Sequence, residues 1–283
     1  MFERLIRMIK GAPGVPGENP ATRALRWLEA NPSPETAAVL ALYGVGNAAG
    51  SLPRGADDAR LKTLEASQSP DGGFPGADVA ARRLAAAEYL VGHRRRVIAL
   101  MDALIDQFPD KVADNDGRLI AVAEHVTPGA RVLEAGCGKG RFLAALLQKF
   151  PDIQCTGADI SAALLKRLPS GITAVEGGIE RLPLPDGAFD VAFSVEAIEH
   201  ATNWTAAVSQ LARVTKPGGR VIIIDKQLAA WGRFETPIWE RWPEREEMTA
   251  MLAKFCDDVR ADDVGYDGQP ADGLMLAWSG RKK

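Results

Sequence analysis

Cysteine is scarce in this 283-residue chain. Cys137, Cys155 and Cys256 lie far apart, with no C-x-x-C pair and no secretory leader at the N-terminus. A disulfide framework is thereby excluded, and a reducing, cytoplasmic setting is expected. Long apolar runs are also missing: no stretch approaches the roughly 18 residues that a membrane span requires, so no transmembrane segment is expected. Excess positive charge is absent as well. A net charge of -3 supplies no broad basic surface, which makes nucleic acid an unexpected partner. Histidine is limited to His93, His125 and His200, so few side chains can serve in acid-base work or metal ligation near neutral pH. What remains is globular in composition, with 46% hydrophobic and 25% charged residues. The length exceeds one domain of about 150 residues and falls short of three.

Residues 1–114 read as a helical region and 115–283 as an α/β domain. In the first ten residues Phe2, Leu5, Ile6 and Ile9 share one helical face, which suits a short helix docked on the protein body or on a membrane surface. A Pro/Gly-rich connector over 11–20 follows, then short helices over 22–29, 34–43 and 57–66 and a long one over 78–108. Gln68, Asp71, Gly72, Gly73 and Phe74 resemble a fragment of the Q-x-x-D-G-G-F/W repeat of terpene cyclase and prenyltransferase toroids. One and a half copies cannot close a toroid. Plain turn chemistry, or a lid or interaction surface for a substrate, are the two readings of this region.

The chemistry concentrates further on. Val132, Leu133, Glu134 and Ala135 read as a buried strand that runs into Gly136-Cys137-Gly138-Lys139-Gly140 and then a helix from Arg141. Glycines at 136, 138 and 140 allow a tight turn and a close backbone approach to a ligand. Dinucleotide loops use G-x-G-x-x-G and aim a helix N-terminus at a pyrophosphate. Here the spacing is G-x-G-x-G, and the Glu134 carboxylate would repel phosphate and favour a cation. A second strand over 153–159 ends in Asp159, placed to accept from the two hydroxyls of a ribose, or simply to cap the helix that begins near Ser161. Residues 177–190 form a loop before an apolar strand over 191–195, and Lys216, Pro217, Gly218 and Gly219 turn into a further strand over 221–225.

These four segments, in this order, resemble the class I S-adenosylmethionine-dependent methyltransferases, and the resemblance covers roughly residues 115–283. It implies a Rossmann-like, doubly wound, mostly parallel seven-stranded sheet with an antiparallel closing strand, here drawn from 258–266 and 274–281, plus the N-terminal helical region. It also implies S-adenosylmethionine as cofactor, with Glu134 at the methionine end, Gly136, Gly138 and Gly140 lining the loop and Asp159 and Ile160 at the ribose. Ile179, Glu180 and Val195 would stand on the adenine side. Many family members carry an acidic residue where this chain has Gly178, so that contact would pass to backbone near Ile179 or to Glu180.

Methyl transfer from a sulfonium asks the protein to align donor and acceptor and to exclude water. An oxygen acceptor also needs its proton removed or its pKa lowered. Glu196, Glu199 and His200 follow the fourth strand, and if that segment is helical the three converge on one face. Such a set suits Mg or another divalent ion, and E-x-x-E-H resembles the metal site of the ubiquinone-biosynthesis O-methyltransferases and of the small-RNA 2'-O-methyltransferases. The RNA enzymes use a further downstream histidine that this chain lacks. Three readings stay open: a divalent-metal site, His200 as a metal-free general base, and a structural turn. Lys226, Trp231, Arg233, Phe234, Trp239 and Trp242 gather aromatic and basic groups for an acceptor pocket or a hydrophobic lid. The expected function is methyl transfer to a small-molecule acceptor, most readily at oxygen. The alternatives are RNA 2'-O-methylation and a catalytically silent interaction module.

Overall fold

The computed structural model describes residues 18–47 and 50–283. The expected amphipathic helix over 1–10 lies outside the described residues. The chain divides into two compact units: one takes residues up to 103 together with Glu235–Arg241, the other Leu104–Phe234 and Trp242–Lys283. The dividing point thus falls before the expected 114/115, because residues 104–116 are tied into the second unit. Lys139 Nζ donates to the Phe108 carbonyl at 2.7 Å and to the Asp110 carboxylate at 2.5 Å.

In the helical unit, α1 (Pro20–Ala30) starts on Asn19, whose side chain accepts from the Thr22 N–H. A 3-10 turn (Pro34–Thr36) leads into α2 (Ala37–Leu42), followed by α3 (Asp58–Ser67) and the long α4 (Val79–Ala103). The helix expected to reach residue 108 stops at Ala103 and gives way to a 3-10 turn (Ile105–Gln107). Pro109 follows, and the residue before a proline is disfavoured in helical backbone. Leu25, Leu28, Val39, Leu61, Leu64, Phe74, Tyr89 and Leu90 build this unit's own core. The Gln68-to-Phe74 segment is a hydrogen-bonded loop. Asp71 accepts from the Gly73 N–H and the Ser69 hydroxyl and pairs with Arg82, while Gln68 accepts from Arg23. Residues 235–241 belong here because the Trp239 carbonyl accepts from Asn19 Nδ2 at 2.7 Å and the Arg96 guanidinium lies over the Trp239 ring.

The second unit begins with α5 (Gly117–Ala123) and alternates from there: β1 (Arg131–Ala135), α6 (Arg141–Lys149), β2 (Gln154–Asp159), α7 (Ala162–Leu165), β3 (Ile172–Glu176), β4 (Phe189–Val195), α8 (Trp204–Val214) and β5 (Thr215–Lys226). It closes with α9 (Arg245–Ala253), β6 (Cys256–Val264) and β7 (Met275–Lys282). Among the described residues the strands form a seven-stranded sheet in the order β3-β2-β1-β4-β5-β7-β6. Strands β1 to β5 pair in parallel and β7 runs antiparallel to both neighbours. Parallel strands covered on both faces read as continuous apolar runs, as β1 and β4 do. Their alternate side chains divide between two cores. Val132, Phe193, Ile222 and Ile224 pack with Leu119, Phe142 and Leu146 on one face. Leu133, Ala192, Val221 and Ile223 pack with Trp204, Val208, Leu211 and Met248 on the other.

Order reversal in the sheet locates the ligand crevice. The chain moves outward from β1 to β3, then returns to the other side of β1 with β4, so the carboxyl ends of β1 and β4 flank a topological switch point where open α/β sheets bind ligands.

Candidate active site at the strand ends

Strand β1 delivers Glu134 to this crevice. Its side chain is buried, at 2% exposure, and Oε2 has no hydrogen-bond donor. Burial pushes its carboxyl well above the usual carboxylate range, against the opposing pull of the nearby Arg141 guanidinium. The loop that follows folds tightly: the Gly136 N–H donates to the Ala158 carbonyl at 2.7 Å. Gly136 has φ 77°, and a Cβ there would run into the Ala197 side chain. Gly138, at φ 53°, has no heavy atom within 4 Å of the position a Cβ would take, so its backbone faces open space. Gly140 is the N-cap of α6.

Asp159 ends β2 and ties the neighbouring loops together, accepting from the Gly138 N–H and the Ser161 N–H at 2.9 Å each. Burial raises its pKa, against those backbone donors, which lower it. The Ser161 hydroxyl accepts from the Leu164 N–H, so the capping expected near Ser161 is performed by Ser161 itself and the Asp159 carboxylate stays at the strand end. Ile160 lies between them. Beyond β3, Ile179 and Glu180 are buried, and Glu180 Oε1 accepts from the Thr202 N–H at 2.9 Å. That bond fixes the loop before β4 against the turn after it. Val195 ends β4, buried beside the crevice.

The segment after β4 does not meet the condition on which the three residues would converge. It is not a helix presenting Glu196, Glu199 and His200 together. Glu196 sits in left-handed backbone, φ 51°, a conformation that costs a non-glycine residue free energy, and the 3-10 turn (Ile198–His200) begins only after it. Its carboxylate turns toward α5 and α6, where Oε2 accepts from Arg118 at 2.7 Å and Arg141 at 2.9 Å. Burial raises the Glu196 pKa, but Arg118 and Arg141 more than offset it and hold the group below its ordinary value. Glu199 is paired elsewhere, its Oε2 with the buried Lys226 ammonium and its N–H with Asp225 at 3.1 Å. Burial, and then the Glu199 charge, push the Asp225 carboxyl well up. His200 Nε2 is 3.5 Å from Glu199 Oε1, while Nδ1 is buried without a partner. As a set of three metal ligands these residues do not fit, because the Glu196 carboxylate is taken by two guanidiniums.

Arg118 and Arg141 escape the sequence reading. Arg118 donates to both Asp116 oxygens, to Glu196 and to Asp267, partners as far as 149 residues away that leave no local signal. Arg141 stands in the quoted loop, directly after the third glycine, so its position was visible though its direction was not. The expected aromatic pocket is divided. Trp231 and Trp242 meet edge to face at 5.1 Å, with Lys226 over Trp242, Arg233 pairs with Asp272, and Trp239 belongs to the helical unit.

Residues 133–223 match the family described as a methyltransferase domain. The malonyl-[acyl-carrier protein] O-methyltransferase of Methylococcus capsulatus is 36% identical over 110 residues, 36% of this chain and 40% of that protein. The fatty-acid O-methyltransferase of Mycolicibacterium smegmatis is 32% identical over 118 residues, 40% of this chain and 42% of that protein. The chain thus spans less than half the length of either relative. A methyltransferase structure from Aquifex aeolicus superimposes with a TM-score of 0.51 at 17% identity, covering 64% of this chain and 98% of that one. Residues 133–223 are thus a methyltransferase domain by the family match, and the sheet order around them, with the acidic ends of β1 and β2 and the glycine loop between them, is that of the class I S-adenosylmethionine-dependent methyltransferase fold.

Proposed function

We propose that this domain transfers the methyl group of S-adenosylmethionine to an oxygen of a small-molecule acceptor. The observation that carries the reading is the orphaned Glu134 Oε2. A buried carboxylate oxygen without a donor, beside a loop of bare backbone, fits a cationic ammonium and disfavours a phosphate. Asp159 would take the ribose hydroxyls. Gly136, Gly138 and Gly140 would line the approach, and Ile160, Ile179, Glu180 and Val195 would enclose the adenosine side. When bound, S-adenosylmethionine supplies a methyl group on a positively charged sulfur.

His200 is the residue we assign to the acceptor's proton. Its Nδ1 is the unpartnered atom, and Nε2 faces the Glu199 carboxylate, which favours the imidazole carrying a proton there and leaves Nδ1 free to accept one. Glu196, held by two guanidiniums, is not available as a metal ligand, which supports the metal-free reading of His200. Two of the curated relatives are named as O-methyltransferases, in keeping with an oxygen acceptor, while others are named for a carbon or a nitrogen, so the acceptor panel decides the atom. The net charge of -3 favours a small molecule over a nucleic acid.

The test is release of S-adenosylhomocysteine with a panel of hydroxylated, carboxylated and amine acceptors. Turnover with an oxygen acceptor is expected, unchanged by EDTA and then Mg. His200→Asn is expected to lower kcat about 100-fold for a hydroxyl acceptor, and to leave a carboxylate acceptor, already ionised, little affected. Turnover confined to amines, or restored only by Mg, contradicts the assignment.

A further inference from the structure

We propose that the helical unit carries a binding site for an apolar carboxylic acid, held by His93, Arg96 and Trp239. None of these residues belongs to the α/β unit, so the site is independent of the cofactor reading above. Three buried nitrogens of this unit have no hydrogen-bond partner: His93 Nδ1, Arg96 Nε and Trp239 Nε1. His93 is 3% exposed and Trp239 6%. A buried polar group left unpaired costs free energy, and native folds retain few of them. Here three occur on neighbouring side chains. Tyr89, His93 and Arg96 stand at i, i+4 and i+7 of α4 and share one face. The Tyr89 and His93 rings stack at 5.9 Å. The Tyr89 hydroxyl donates to Glu65 Oε1 at 3.1 Å, and Arg96 donates to the same oxygen at 2.5 Å. On its other side the Arg96 guanidinium lies 5.8 Å from the Trp239 ring centroid.

The donor set defines the ligand. A guanidinium Nε–H and an indole Nε1–H only donate, and a neutral imidazole can carry its single proton on Nδ1. Three such donors call for oxygens that only accept, as those of an ionised carboxylate do. Glu65 engages Arg96 through a terminal nitrogen, which leaves Nε for a second partner. The sign of the charge agrees. Burial, and then the guanidiniums of Arg96 and Arg94, lower the His93 pKa to about 3, so the imidazole stays neutral and the charges that reach it are positive. Phe74 and Tyr89 meet at 5.1 Å, so apolar ring surface flanks the nitrogens. That surface suits an acid with a hydrocarbon body better than a small hydrated anion.

Calorimetric titration of the full chain with 4-phenylbutyrate and with 4-phenylbutanol, which has the same body and no charge, tests the assignment. One-site binding of the acid, about tenfold or more tighter than that of the alcohol, is expected. Trp239→Phe keeps a ring and deletes the N–H, and Arg96→Lys keeps the charge and deletes Nε. Each should weaken the acid about fivefold or more while leaving the alcohol unaffected, and either variant suffices should the other fail to fold. The acid should also shift one indole N–H resonance of the wild type, the one that Trp239→Phe removes. A wild type that binds neither compound, or binds both alike, overturns the proposal. So does an affinity for the acid that the folded variants leave intact.

Discussion

A carboxylate buried at the end of the central strand, with one oxygen lacking a donor, costs the unliganded protein on the order of 1–3 kcal/mol. Glu134 bears that cost, and its pKa, raised by burial, sets the direction of a pH effect. Between the ordinary value and the folded one, the native chain holds a proton that the unfolded chain has released. Stability contributed by the neutral form is full below the ordinary value and is lost as pH rises through the folded one. Glu134→Gln is accordingly expected to raise the melting temperature of the unliganded protein at pH 8, to raise it much less at pH 5, and to weaken cofactor binding at both. A fall in melting temperature at pH 8 would mean that the carboxylate is satisfied within the fold. Asp159 differs, since the Gly138 and Ser161 N–H groups partly repay its burial.

At the scale of elements, β1, β4 and the run over 221–224 of β5 were legible because strands covered on both faces are largely apolar, and the ends of β1 and β2 were marked by Glu134, Asp159 and the glycines. The turn after β4, left open among three readings, carried no local signal that could decide between them. Its i, i+3, i+4 spacing fits a helix, but Glu196 is drawn into left-handed backbone between Arg118 and Arg141, and Glu199 toward Lys226. Those partners lie 27 to 78 residues away, beyond any local pattern. Helix α4 carries a second pH effect of opposite sign. His93 is buried against Tyr89 with Nδ1 unpartnered, and burial, aided by Arg96 and Arg94, lowers its pKa to about 3. Below the ordinary histidine value of 6.5 the unfolded chain takes up a proton that the native helix refuses until about 3. The helical unit should therefore lose up to about 1.4 kcal/mol per pH unit as pH falls across that window. His93→Phe, which keeps the ring stack, should flatten this slope in urea unfolding followed by tryptophan fluorescence between pH 7 and pH 5. An unchanged slope would assign the acid sensitivity to other groups.

For the whole molecule, the two-part organisation was visible as a change from helical to alternating patterning, while the division between the parts was not. Residues 104–116 carry helical and loop signals like those before them, yet Lys139 and Arg118 bind them into the α/β unit. Residues 235–241 lie between elements of the α/β unit in sequence, and Trp239 joins the core-bearing helical unit instead. Both assignments draw on contacts between residues far apart in sequence that composition cannot reveal. The central proposal for the molecule is a crevice at the ends of β1 and β2 that takes a cationic cofactor. Its most direct test is calorimetric titration of the purified chain, free of carried-over ligand, with S-adenosylmethionine, in the wild type and in Glu134→Ala and Asp159→Ala. One-site binding by the wild type, weakened about tenfold or more by each substitution, is the expected result. Absence of binding by a folded wild type, or binding that both substitutions leave intact, would contradict it.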